Sequence, residues 1–504
     1  MRKQPMRLFV TAALSLLLSC SVSLAASKNL LAGAVWQYSV DEGKTWANSA
    51  NVPEAGTATL RAKTTFSIDD PAAFASFTLT HALAPGAHLQ IQLNGQEIAP
   101  ALKGMRYKSY AGIPASFAKK GANELTLTLE IPAKAKAAER QVEAKCDLVG
   151  LSPDDLKIQT GPILGAFGND YFTVTCRTNM PAKVSVVCVG KPVTPESTGM
   201  YHRLRVKRPA GEGEYELLAQ CQSKSVRIKL TPQPPVAADK LTFVAAGDCR
   251  SVLRDWKLVA AALGKVTAQV LFFNGDFVED GLQDWTWDPE FFGPIQPAVS
   301  HMPIYAVMGN HEHGSEIVHQ LFYTPSDSGQ DENWSQQIGP GFFVGINGER
   351  NFSKDSDNAK WLEAQFQSAG KAKFIFVFSH YPAWSSGGHG QREAKDGLSD
   401  TAKWARETIE PLMQKYKVTA FIVGHDHDYE RSELPGGLIE ITTGGAGAPT
   451  VPFLSSDLSV NPYSKAYSSK LHYCLFDLDG DTWTMKAITP EGKVIDECGG
   501  KARE

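Results

Sequence analysis

Two N-terminal β-sandwich modules followed by an α/β domain make up the multidomain fold that the 504-residue sequence predicts. Three observations predict it. Runs of alternating apolar and polar residues recur from about residue 27 to about residue 230, as half-buried strands require. A proline-rich tract, Leu230-Thr-Pro-Gln-Pro-Pro-Val-Ala-Ala, then breaks that rhythm as a linker would. Beyond it, short uniformly apolar runs alternate with amphipathic stretches, the pattern of a largely parallel sheet covered on both faces.

The chain opens with a targeting signal over residues 1–25. Met1 to Arg7 is basic, residues 8–18 are apolar, and Ser23-Leu-Ala25 fits the small-x-small rule for cleavage before Ala26. Leu17-Leu-Ser-Cys20 is also similar to a bacterial lipoprotein box, although Leu18 fits that box poorly. No later apolar run reaches the ~18 residues that span a bilayer. The expectation is an exported protein, periplasmic or secreted, or lipid-tethered through Cys20, with no transmembrane span.

Residues 27–145 read as the first sandwich. The runs Thr64-Thr-Phe-Ser-Ile68, His88-Leu-Gln-Ile-Gln-Leu93 and Glu124-Leu-Thr-Leu-Thr-Leu-Glu130 alternate strictly, and turns such as Asn94-Gly95 separate them. Ile91-Gln-Leu-Asn-Gly-Gln-Glu97 resembles a hairpin of galactose-binding-like jelly rolls, which implies glycan or surface contact. Residues 147–234 carry about seven short strands, among them 171–179, 202–206 and 215–220, and fit a small fibronectin-like sandwich. The α/β domain takes residues 238–490, with apolar strands at 241–246, 270–273, 304–308, 374–378 and 419–423 and helices at 256–266, 357–369 and 398–416.

The totals exclude some partners. A net charge of −4 makes no electrostatic case for nucleic acid as a structural partner. Seven cysteines follow Cys20, and export permits disulfides: Cys474 with Cys498, and Cys176 with Cys188 or Cys221. Of 12 histidines, eight lie between His301 and His427, so imidazole chemistry belongs there.

Ligands in such sheets gather at the carboxyl ends of strands. All five apolar strands end in a polar cluster: Gly247-Asp248-Cys249-Arg250, Gly275-Asp276 with Glu279, Gly309-Asn310-His311, Ser379-His380 and Gly424-His425-Asp426-His427. Carboxylate oxygen and neutral imidazole suit zinc, manganese or iron, and the near absence of thiolate argues against a structural zinc site. His425 and His427, two residues apart in extended chain, share a face. A lone Gly-Asp or Asn-His is more often a turn than a ligand, and His425 with His427 alone is as readily a solvated loop, but five clusters at successive strand ends are not a chance arrangement.

In this order and spacing the five motifs resemble the calcineurin-like metallophosphoesterases, and Gly424-His-Asp-His-Asp-Tyr-Glu-Arg-Ser432 is similar to the purple acid phosphatase branch. The resemblance covers about residues 155–490 and implies an αββα sandwich holding two metal ions, iron, manganese or zinc. It implies Asp248, Asp276 and His427 on the first metal, Asp276 bridging, and Asn310, His380 and His425 on the second. His311 would contact phosphate and assist the leaving group, and His389 stands where that branch has a further substrate-contacting histidine. The rival reading of His389 is a loop tip. Tyr429 and Glu430 are expected to pack or to support the ligands, and Cys249 to lie beneath the site.

Two departures matter. The branch places a metal-ligating tyrosinate, the source of its colour, where this chain has Glu279. The wider superfamily places a ligating histidine where it has Arg250. Glu279 is therefore a candidate oxygen donor, and Arg250 a candidate grip on phosphate or a salt-bridge partner of Glu279 or Asp280. The implied activity is hydrolysis of a phosphorylated small molecule by metal-generated hydroxide, with a phosphomonoesterase favoured. The alternatives are a phosphodiesterase or nucleotidase, with Trp285, Trp287, Phe291 and Phe292 either stacking a base or packing the fold, and a surface-binding protein with a vestigial phosphatase domain.

Overall fold

The computed structural model describes residues 29–48, 58–81, 88–105, 110–131, 133, 146–208, 213–325, 332–450 and 460–503. The targeting signal lies outside them. Among the described residues no helix is long and apolar enough to cross a membrane.

The first module has two sheets. Gln37–Ser39, Ala58–Ile68, Gly121–Ile131, His88–Leu93 and Gln96–Glu97 form one, and Tyr110–Pro114, Ser76–His81 and Cys146–Leu151 the other. Ile91, Leu125 and Leu127, apolar members of the alternating runs, fill the space between together with Leu60 and Phe77. Cys146–Leu151 pairs antiparallel with Ser76–His81 and so crosses the expected boundary at 145–147.

In the second module the 18-residue strand Tyr171–Cys188 pairs with Ile158–Phe167, Ser197–Lys207 and Tyr215–Cys221, with a bulge between Arg177 and Ala182. Its apolar side is continuous with the interior of the third domain. Phe172, Val174, Leu204 and Leu217 share one cluster of buried residues with Phe243, Tyr305, Trp334 and Phe376 of that domain.

The third domain contains β1 (Lys240–Ala246), α1 (Leu253–Leu263), β2 (Val270–Phe273), β3 (Ile304–Ala306), β4 (Trp334–Ile338), β5 (Gly341–Gly345), α2 (Asp357–Ser368), β6 (Phe374–Phe378), α3 (Gly388–Asp396), β7 (Ala420–Val423), β8 (Tyr429–Glu433), β9 (Ile439–Thr443), β10 (Ser464–Ser468), β11 (Tyr473–Asp479), β12 (Thr482–Ile488) and β13 (Val494–Lys501). The strands make two sheets, in the orders β3-β2-β1-β11-β12-β13 and β4-β5-β6-β7-β9-β8-β10. The apolar strands thus divide between two sheets instead of lining one. Uniform apolarity requires two covered faces, and here the opposite sheet supplies one of the covers. Phe243 meets Phe376 edge to face at 5.1 Å and Phe272 stacks on Phe378 at 4.3 Å, between the sheets. The alternate residues, Val244 and Phe273 in one sheet and Val377 and Val423 in the other, face outward onto α1 and α2 respectively. The layers are therefore αββα.

The helices start where local chemistry says they should. Ser356 accepts from the Ala359 amide ahead of α2, and Ser399 caps the Asp400–Trp404 helix in the same way. The expected helix at 398–416 is present as that segment, a wider turn at Ala405–Ile409 and Glu410–Lys415.

All seven cysteines among the described residues are free. Strand register explains why the expected bridges do not form. Cys474 lies opposite Ala487 and Cys498 opposite Met485, so β12 runs between them. Two strand spacings, about 9.6 Å, exceed the ~7 Å that a disulfide can close. Cys176 and Cys188 lie on one strand, twelve residues apart, and Cys221 lies beyond the position opposite Lys183.

Candidate metal centre

Five loops at the ends of β1, β2, β3, β6 and β7 converge. Three of their residues hold backbone conformations that side chains rarely adopt: Asp248 at φ 60°, Asp276 at φ 54° and His425 at φ 72°. Such strain at strand ends is characteristic of functional loops. Gly275, at φ +87°, lets β2 turn beside the Gly309 backbone; a Cβ there would collide with it.

The residues expected on the second metal meet. The Asn310 Oδ1 lies 3.1 Å from His380 Nε2 and 3.1 Å from His425 Nδ1, and these two nitrogens are 3.1 Å apart. Asp276 Oδ1 lies 3.4 Å from His380 Nε2. His380 Nδ1 donates to the Asn274 carbonyl at 2.8 Å, so in the neutral ring Nε2 carries a lone pair. Burial, with the neighbouring His380 and His389, holds His425 well below the usual imidazole range and keeps it neutral. Oxygen and nitrogen lone pairs converging without protons of their own fit a cation of borderline hardness. Asp248, Asp276 and His380 each offer a ligand atom, all within 4.8 Å of one another.

The first-metal side is arranged differently. Asp248 accepts the His425 amide at 3.0 and 3.1 Å, and its Oδ1 is 3.8 Å from His427 Nε2. Arg250 Nε donates to Asp276 Oδ2 at 3.0 Å, its Nη1 reaches Glu279 at 3.2 Å, and its Nη2 lies 3.5 Å from His427 Nε2. Glu279, expected as an oxygen donor, instead has its carboxylate taken up by Arg250 and Ser251 and is 55% exposed. The salt-bridge reading of Arg250 therefore holds for Glu279, with Asp276 as a second partner. Burial pushes the Asp276 carboxyl up, but His380, His311 and Arg250 outweigh it and leave it below the usual range. Burial and the Asp276 charge raise Asp248.

The two histidines expected to contact substrate are both brought in. His311 donates from Nδ1 to the Glu279 carbonyl, its amide donates to Asp276 Oδ1, and its Nε2 is 4.0 Å from Asp276 Oδ2. His389 is in the first turn of α3, not at a loop tip, with its ring 3.8 Å from that of His425 and its amide bonded to Asp426. Tyr381 lies against the His425 ring at 4.6 Å, but its hydroxyl turns to Glu349. Trp287, Phe291 and Phe292 are buried in the core around Phe277, which removes them as a base-stacking wall; Trp285 is exposed. Cys249 is buried under the site, donating to the Phe277 carbonyl.

The sequence reading missed Glu312. Fully buried, it accepts the amides of Asp276, Phe277 and Gly309, and so ties the β2 loop to the β3 loop. An acid at the third position after Gly309 is a capping pattern, and that was the available signal. It also missed the support of the 383–389 loop: Glu440 accepts the Ala383 and Trp384 amides, Glu430 takes Ser386, and Asp426 takes Ser385. Tyr429 is buried, donating to Asp496.

Glu440 yields a pH prediction. Burial pushes its carboxyl from 4.5 up to about 8. Between those values the folded chain keeps a proton that the unfolded chain releases, so stability falls as pH rises, by at most about 1.4 kcal/mol per pH unit for this one group. Glu440→Gln removes that slope. Urea midpoints at pH 5 and pH 8 should diverge less in the variant than in the parent chain; equal divergence would refute the assignment.

An αββα sandwich with Asp, Asn and His at five strand ends defines a metallophosphoesterase fold carrying a candidate metal site. Residues 241–429 match the family model described as Calcineurin-like phosphoesterase, and this part of the chain is a domain of that family. Its relatives include purple acid phosphatases. The chain is 27% identical over 216 residues to "Probable inactive purple acid phosphatase 9" of Arabidopsis thaliana, covering 36% of this chain and 32% of the relative. It is 24% identical over 246 residues to "Tartrate-resistant acid phosphatase type 5" of Sus scrofa, covering 40% of this chain and 69% of the relative. It thus spans about a third of the length of the first of these. The structure of purple acid phosphatase PPD1 from yellow lupin (Lupinus luteus) superposes with a TM-score of 0.57 at 16% identity, covering 93% of this chain and 96% of that one. At that identity the likeness is one of fold.

Proposed function

We propose that the chain is an exported metal-dependent phosphatase that hydrolyses a phosphorylated small molecule, a phosphomonoester in preference to a diester. The convergence of Asp276, Asn310, His380 and His425 is the observation that carries this reading. A cation bound there supplies Lewis acidity, polarising a phosphoryl oxygen and lowering the pKa of a water. Arg250, fixed by Asp276 and Glu279, presents a permanent positive charge to the equatorial phosphoryl oxygens. His311, anchored through Nδ1, hands a proton from Nε2 to the leaving alkoxide, and His389 holds the ester against His425. Export rests on the basic and apolar start of the sequence.

Turnover of an aryl phosphate that disappears with a chelator and returns with zinc, manganese or iron tests the proposal. Absence of turnover under all three would favour the surface-binding reading instead. Without a tyrosinate at position 279, the iron-loaded protein should be colourless in the visible range; a purple preparation would contradict the placement of Glu279.

A further inference from the structure

The ligand set expected for the first metal is spent on a side chain. The two positions at which one or the other further donor is expected, a histidine or a tyrosine, hold Arg250 and Glu279. The lone pairs of two of the remaining three are turned toward the same guanidinium. Asp276 Oδ2 accepts from Arg250 Nε at 3.0 Å. His427 Nδ1 donates to the Pro449 carbonyl at 3.0 Å, so in the neutral ring Nε2 is the acceptor, and it faces Arg250 Nη2 at 3.5 Å. Glu279 and Ser251 hold the opposite edge of the guanidinium at 3.2 and 3.0 Å. Arginine does not lose its proton and cannot act as a ligand, and a divalent ion beside it would face a like charge.

We propose that this centre holds one metal ion, at Asp276, Asn310, His380 and His425, and that the Arg250 guanidinium takes the place of the second. Asp276, whose Oδ1 lies toward His380, would then help to hold the metal while its Oδ2 holds a fixed organic cation. The buried pair Asp248 and Asp276 gains one compensating positive charge from the chain itself, independent of metal supply. This rests on the phosphatase reading for its catalytic meaning, but the number of ions bound does not.

The test is a count. The full chain, stripped with chelator and titrated with zinc alone in a calorimeter, should bind one ion per chain, and elemental analysis after desalting should agree. Two ions per chain in the parent protein would overturn the proposal. Arg250→His, which restores an imidazole, should bind two; a count that stays at one there would show that Arg250 is not what excludes the other ion. His427→Ala should keep the single ion with affinity within about threefold, whereas His380→Ala should lose it; an affinity loss of tenfold or more in His427→Ala would also overturn the proposal. A one-ion protein that turns over no aryl phosphate would sink the proposed activity and leave the one-ion centre standing.

Discussion

Asp276→Ala lowers turnover of an aryl phosphate by at least about 10³-fold, because one side chain serves both halves of the centre. Its Oδ1 faces His380 and the His311 amide, and its Oδ2 holds Arg250. Losing a metal ligand forfeits several kcal/mol of charge stabilisation in the transition state, and each 1.4 kcal/mol is about a decade in rate. The fold should survive, since the tie to Glu312 runs through the Asp276 amide and not its side chain. Steady-state kinetics with elemental analysis on the same sample reads both effects. Parent-like turnover with parent-like metal content would remove Asp276 from the site.

Arg177→Met destabilises the chain by about 3–5 kcal/mol, the range for removing one partner of a buried ion pair. Arg177 comes from the long strand of the second module, is 3% exposed, and pairs with Asp284 and Asp288 of the phosphoesterase domain. Thr160 and Tyr201 take its remaining donors at 3.1 and 3.2 Å. Methionine fills the volume but leaves two carboxylates facing each other without a cation. The denaturant midpoint should fall accordingly, and a loss under about 1 kcal/mol would show that solvent already screens the cluster. Replacing Asp284 and Asp288 by leucine in the same variant should recover most of the loss, because an apolar substitute for a whole buried ion cluster is often neutral.

The candidate site was legible because its chemistry is local. A glycine, then Asp, Asn or His, at the end of an apolar run can be read one strand at a time, and the structure brings Asp248, Asp276, Asn310, His380, His425 and His427 to one place. What was not legible is pairing across long separations. Apolar runs showed that both faces of a strand are covered, but not that Phe243 meets Phe376 of a second sheet. Glu279 and Arg250 each kept an alternative reading in the sequence, and their contact at 3.2 Å could not be read from it. Cys474 and Cys498 looked pairable until the register placed β12 between them. Glu312 and Glu440 are single acids in the sequence, and only the backbone amides folded around them give them a role.

The apolar cluster that runs from Phe172 and Leu217 into Phe243 and Trp334 has a consequence for where the molecule can be divided. The proline-rich tract is the boundary that composition marks, but it is not an autonomous folding boundary. A chain trimmed to begin at the tract would expose the side of Tyr305 and Gln336 that Phe167 of the second module covers. Such a surface drives aggregation in an isolated fragment. The smallest piece able to melt as one cooperative unit therefore includes the strands from Ile158 onward, and calorimetry of the whole chain should find the second module and the phosphoesterase domain unfolding in a single transition.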